Sequence, residues 1–146
     1  MDIGGSADLG TISINADFDA IERISTNDVN VTGTAITIQV NSSSSVIIST
    51  VVVSAPVQTA YVQSQVITVD ITLDNTAGGI GADGIEIGLI INGTGYSFSN
   101  LTGQTILMGE VKVFQIAVTI GASADVGIIN IDAEFTGAEL VSSAPI

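Results

Sequence analysis

The sequence contains no cysteine, no histidine and no tryptophan, and its 146 residues include only 2 Lys+Arg. Without a thiol or an imidazole it cannot build a Ser/His/Asp triad, a Cys/His nucleophile, a zinc finger or a disulfide framework. A single Arg23 and a single Lys112 cannot neutralise a run of phosphates, which removes nucleic acid as a partner and anionic membrane surfaces with it. Long apolar runs are missing too. The most apolar stretch, residues 46–57, is interrupted by Ser49, Thr50 and Ser54 and is too short for a spanning helix, so no membrane insertion of this segment is expected. The N-terminus has neither a basic nor an apolar leader region, so no signal peptide is expected in this chain. No window of ten residues carries a helical period, which excludes a parallel βαβ sheet.

What is present is acid and β-branched carbon together: 15 Asp+Glu give a formal net charge of −13, while 46% of residues are hydrophobic and mean hydropathy is +0.61. Disordered chains combine high charge with low hydrophobicity, so this one is expected to fold. Its length supports one domain with a sizeable core, or one domain plus a fragment of another.

An internal duplication decides between those two. Residues 3–18 align without gaps on residues 120–135, an offset of 120 − 3 = 117. Ser6, Ala7, Asp8 and Gly10 recur as Ser123, Ala124, Asp125 and Gly127; Ile12, Ile14, Ala16 and Phe18 recur as Ile129, Ile131, Ala133 and Phe135. Glu22 and Ser25 recur as Glu139 and Ser142. A fixed period of this kind is the mark of a tandem array. The expected organisation is therefore residues 1–40 as tail strands of a preceding repeat and 46–146 as one sandwich repeat, an excerpt from a longer array with Met1 as an added start.

Strand patterns fill the rest. Ile67, Val69, Ile71 and Leu73 alternate with Thr68, Asp70 and Thr72, and the same period of two runs through Ile85 to Asn92, Phe114 to Ile120 and Ile129 to Phe135. Two β-branched runs, 35–40 and 46–54, flank the serines 42–45, a linker or exposed turn. Turn signals stand at 74–79, 92–95 and 102–104. Short strands with one wet face each predict an antiparallel sandwich. Its core is expected to hold Ile67, Val69, Ile71, Ile87, Leu89, Phe114, Ile116, Val118, Ile129, Ile131 and Phe135.

The run from Val53-Ser-Ala-Pro-Val57 through Gln65-Val-Ile-Thr-Val-Asp-Ile-Thr-Leu-Asp-Asn-Thr76, a Gly-rich turn, Gly84-Ile-Glu-Ile-Gly-Leu-Ile-Ile91 and Glu110-Val-Lys-Val-Phe-Gln-Ile-Ala-Val-Thr119 to Gly127-Ile-Ile-Asn-Ile-Asp-Ala133 resembles bacterial and archaeal repeats of the CARDB type, a cell-adhesion-related domain. The resemblance covers about residues 46–135 and rests on strand and turn layout. It departs from the family's Pro-Gly-Gln turn, having Val62-Gln-Ser-Gln65 instead. It implies an all-β, immunoglobulin-like antiparallel β-sandwich of seven strands in a large secreted or wall-bound protein.

Chemistry has few places to reside. Gly79-Ile-Gly81-Ala-Asp-Gly84 matches G-x-G-x-x-G, but a strand pattern follows it and Asp83 would repel phosphate, so a hairpin turn is expected rather than a dinucleotide site. Asp132 and Glu134 lie two apart on one strand and share its wet side; a glycosidase pair would need a groove and aromatic platforms. No catalytic residue is assigned and no enzyme is expected. Oxygen-rich clusters could hold Ca²⁺: Asp17, Asp19, Glu22 and Asp28 at the junction after the duplicated strand, and Asp74, Asn75 and Asp83 around the Gly-rich turn. Neither has the D-x-D-x-D-G spacing, and solubilising charge is the competing reading. Four N-x-[ST] sequons, at Asn30, Asn41, Asn92 and Asn100, suit a glycosylated surface protein without establishing one.

The function expected from these features is a non-enzymatic stalk, spacer or fibre module of an extracellular or cell-surface protein. Its partners are neighbouring repeats and, by strand exchange, another copy of the chain, since 9–18 and 126–135 compete for one strand position. A carbohydrate- or protein-binding sandwich, cohesin-like in form, is the alternative, disfavoured by the scarcity of aromatics.

Overall fold

Period-two alternation dominates the chain, and β-strands are its only regular elements among the described residues. The computed structural model describes residues 9–14, 17–21, 28–32 and 36–140. Eleven strands occur there: β1 Gly10–Ile14, β2 Asp17–Ile21, β3 Asp28–Thr32, β4 Ile36–Val40, β5 Ile47–Ala55, β6 Val66–Asp74, β7 Ala82–Ile91, β8 Tyr96–Ser97, β9 Leu101–Ile106, β10 Val111–Ile120 and β11 Ile131–Glu139. No helix among them is long and apolar enough to cross a membrane.

The chain divides into two units between Ser42 and Ser43, inside the serine run. In the first unit β1 pairs with β4 and β2 with β3, as two separate antiparallel two-stranded sheets. The second unit is an immunoglobulin-like antiparallel β-sandwich, with one sheet in the order β5-β6-β10-β8 and the other in the order β11-β7-β9. The literal G-x-G-x-x-G joins β6 to β7 and runs into a strand, as the alternation beyond it requires.

Alternation also locates the core. The inward residues of β6, Ile67, Val69, Ile71 and Leu73, face Val118, Ile116, Phe114 and Lys112 across the pairing with β10. The opposing sheet contributes Ile85, Ile87 and Leu89 from β7 and Ile106 from β9, and nearly all of these side chains are buried. Each buried branched side chain contributes roughly 1.5–3 kcal/mol, so these central rows dominate the stability of the sandwich. The outer rows stay wet: Val113 remains 53% exposed.

Two sequence expectations need correction. The segment 102–104, read as a turn, lies inside β9; Gly103 takes φ +65° there, and the ladder to β7 slips between Ile85↔Gln104 and Ile87↔Leu101. A glycine bulge, not a chain reversal, is what that Thr-Gly-Gln encodes. The alternation at 129–135 becomes a strand only from Ile131, and Ile129, Ile131 and Phe135 are half-buried rather than fully enclosed.

Removing the centre of the core should cost far more than trimming its wet side. Ile71→Ala is expected to lose about 3–4 kcal/mol of unfolding free energy, and Val113→Ala to stay within about 0.5 kcal/mol, both read by denaturant titration.

Candidate functional site

The acidic candidates around the Gly-rich turn are each engaged by the protein's own groups. Asn75 is fully buried. Its Nδ2 donates to the carbonyls of Ile80 (2.9 Å) and Leu107 (3.1 Å), and its Oδ1 accepts from the Ser45 N–H (3.1 Å). One amide thus ties together the entry to β5, the β6–β7 turn and the β9–β10 turn. Gly78 has to be glycine for this to fit, since a Cβ there would lie 2.1 Å from the Asn75 Oδ1 and 2.8 Å from the Ser45 nitrogen.

Asp74 beside it accepts from the Thr76 hydroxyl (2.6 Å) and backbone N–H (2.8 Å), and these bonds hold its carboxyl below the usual range. The Thr105 hydroxyl, followed by the Gly84 N–H, does the same for Asp83. Among the described residues no group of three or more acidic side chains could hold a metal ion. At the other candidate junction, Asp17 and Asp19 fall on β2, opposite Thr32 and Asn30, and Asp28 falls on β3 opposite Ile21. Glu22 lies outside the described residues.

A less expected feature is the uncovered flank of the sandwich. Among the described residues β11 is paired in its sheet with β7 alone. The Asn92 N–H donates to the Asn130 carbonyl across that ladder (3.2 Å); alternation of bonded pairs then turns the backbone groups of Ile131, Ala133 and Phe135 toward the outer edge. There the Ala133 N–H is met by the Asp132 carboxylate (2.8 Å), a side chain standing where a strand carbonyl would be. The core beside this edge is thinly covered. On β5, Ile48, Val51 and Val53 face the buried Leu73, Ile71 and Val69, yet all three are only half-buried, as are Ile131 and Phe135 of β11. A cleft of about 400 Å³ opens at one end of this flank, lined by Val53, Tyr61, Ile67, Tyr96, Ile129 and Ile131 among others. At its mouth Val126 and Ile128 are 83% and 92% exposed.

The duplication gives that flank a counterpart. Gly10 and Gly127, one period apart, have φ +113° and +119°, so the two copies share an unusual backbone setting at matched positions. Adding 117 to β2 gives residues 134–138, within β11. Adding 117 to β1 gives residues 127–131, of which only Ile131 is in a strand. Nearly the same sequence is therefore extended and paired in the first unit, where β4 lies beside it, and outside any strand in the second. Sequence reading recognised the duplication but passed over β3, whose Asp-Val-Asn-Val-Thr alternation is only five residues long.

No family model, curated protein or solved structure matches the chain.

Two outcomes follow from the polar network. Asn75→Ala orphans a buried N–H and two buried carbonyls and is expected to cost about 3–4 kcal/mol in denaturant unfolding; Asn75→Asp should be comparably damaging at neutral pH and recover on acidification, because a protonated carboxyl can donate again. Thr105→Val should raise the Asp83 pKa toward the ordinary Asp value of about 3.9, seen in carboxyl carbon NMR titration. Because the native pKa is depressed, the stabilisation from Thr105 is present above the unfolded value and disappears as pH falls through the native one, so wild type and variant converge in acid.

Proposed function

We propose that the chain is a non-enzymatic structural module of a tandem-repeat surface protein, a sandwich that serves as stalk or spacer between neighbouring repeats. The observation that carries this is the 117-residue duplication with its matched glycine geometry at Gly10 and Gly127. A repeat whose units each bury their own core needs little from its surface except solubility, and a net charge of −13 on mostly Thr, Ser, Asn and acid outer rows supplies that. The acids that invite a chemical reading, Asp74 and Asp83, are tied to neighbouring hydroxyls and N–H groups, which is what carboxylates that shape turns do. The strand layout shared with CARDB-type adhesion repeats over about residues 46–135 points the same way, toward an extracellular or cell-surface setting.

Antibodies raised against the folded chain are expected to label intact cells of the source organism at the same level as permeabilised ones. Labelling confined to permeabilised cells would overturn the surface assignment.

A further inference from the structure

The exposed edge of β11, the half-covered core rows beside it and the cleft at its start lie along one flank of one sandwich. In an immunoglobulin frame β11, β7 and β9 take the F, C and C′ places, and the strand that follows F pairs on its outer edge in the G place. Within the first unit the equivalent of β11 already has that neighbour: β2 pairs with β3, and β1, just before it, pairs with β4. We infer that the outer edge of β11 is a strand-acceptor site whose occupant is the β3–β4 segment, residues 28–40, of a second copy of this chain. The inference rests on the repeat reading proposed above and specifies how repeats join without a covalent link.

The duplication fixes direction and register. Carrying the β2–β3 pairing forward by 117 puts Val31 opposite Phe135, Asn30 opposite Thr136 and Asp28 opposite Ala138, antiparallel. Carrying the β1–β4 pairing forward puts Ile36 opposite Ile131, Ile38 opposite Ile129 and Thr37 opposite Asn130. Apolar positions thus meet apolar ones along the whole seam, and Ile36 and Ile38 arrive where Ile129 and Ile131 line the cleft. The segment 127–130 becomes strand for the same reason that residues 10–13 are strand in the first unit, which is the presence of β4 beside them.

Exchange is favourable because of what each arrangement leaves wet. A lone two-stranded sheet is marginal in water, and the pairs β2–β3 and β1–β4 are such sheets. Moving β3–β4 onto β11 trades backbone pairs roughly one for one, and in addition covers the half-exposed row of Ile48, Val51 and Val53. Donor and acceptor surfaces differ, so the contact is heterologous: each copy can give one segment and take another, and growth is head to tail into an open chain or a ring.

The absence of cysteine makes the test clean. Chains carrying Asn30→Cys are mixed under mild oxidation with chains carrying Thr136→Cys, and Thr37→Cys chains with Asn130→Cys chains. Thr136 and Asn130 are non-bonded positions of the proposed ladder, where facing side chains approach most closely and suit a disulfide. Both mixtures are expected to give disulfide-linked heterodimers. Thr37→Cys mixed with Asp132→Cys, two residues out of register and about 7–8 Å away, should give about ten-fold less. Light scattering of the unmodified chain should show mass rising with concentration, and Ile38→Lys should abolish the rise while circular dichroism stays that of the folded protein. Equal yields from matched and offset mixtures, absence of any heterodimer, or a cross-link formed only within one chain of the double variant Asn30→Cys/Thr136→Cys would overturn the inference. Surface labelling reads the stalk function separately: labelling without a matched cross-link sinks the strand site alone, and a matched cross-link without labelling upholds the site and sinks the stalk.

Discussion

A strand at the side of a sandwich has two obligations, to pair its backbone and to cover its share of the core, and β11 meets each of them halfway. Its ladder to β7 runs from Ile131 to Glu139 with a bulge between Thr136 and Ala138, while the opposite edge offers the backbone of Ile131, Ala133 and Phe135 to solvent or to the Asp132 side chain. Much else on this face of the protein follows from that edge. The inner row of β5 is half-wet because nothing spans from β11 to it, the cleft lies open beside Ile129 and Ile131, and residues 127–130 stay out of any strand although their duplicates form one. Edges of this kind are reactive unless protected. The carboxylate that caps Ala133 gives modest protection of the sort a displaceable side chain can give.

At the opposite end of the sandwich the polar groups are fully engaged. Asn75 closes the entry to β5 and two turns with three hydrogen bonds from a single buried amide, and the Glu139 carboxylate at the end of β11 accepts from the Ser44 N–H (2.8 Å). The contrast between a closed end and an open flank suits a module that folds alone and joins others along a defined seam. Charge is consistent with this division of labour. At −13 the chains repel one another at low ionic strength, so association depends on a matched apolar seam rather than on general stickiness.

The alternation of Ile67 to Leu73, Ile85 to Ile91 and Phe114 to Ile120 made the two sheets legible, because a strand buried on one face writes its period into the sequence. The division of the chain was visible in the duplication and the serine run. Asn75 was noticed for its oxygen and has a different use: its partners Ser45 and Leu107 lie 30 and 32 residues away in sequence, and no local pattern announces a hydrogen bond of that span. The start of β11 was misread for a more instructive reason. Ile129 continues the alternation of Ile131, Ala133 and Phe135, but alternation records what a segment can pair with, and pairing needs a neighbour. The same pattern at residues 10–14 is a strand because β4 is beside it.

The central claim is that the flank of β11 is shaped for the β3–β4 sequence, and the most direct measurement extends the chain itself. A second copy of residues 28–40 joined after residue 144 reproduces the spacing by which β3 follows β2, since 28 + 117 = 145. Amide hydrogen exchange and thermal unfolding are then compared between the extended and original chains. The expected result is slowed exchange at Ile128 to Phe135 and a melting temperature higher by about 5 °C or more. Unchanged exchange along that segment with an unchanged melting temperature would contradict it.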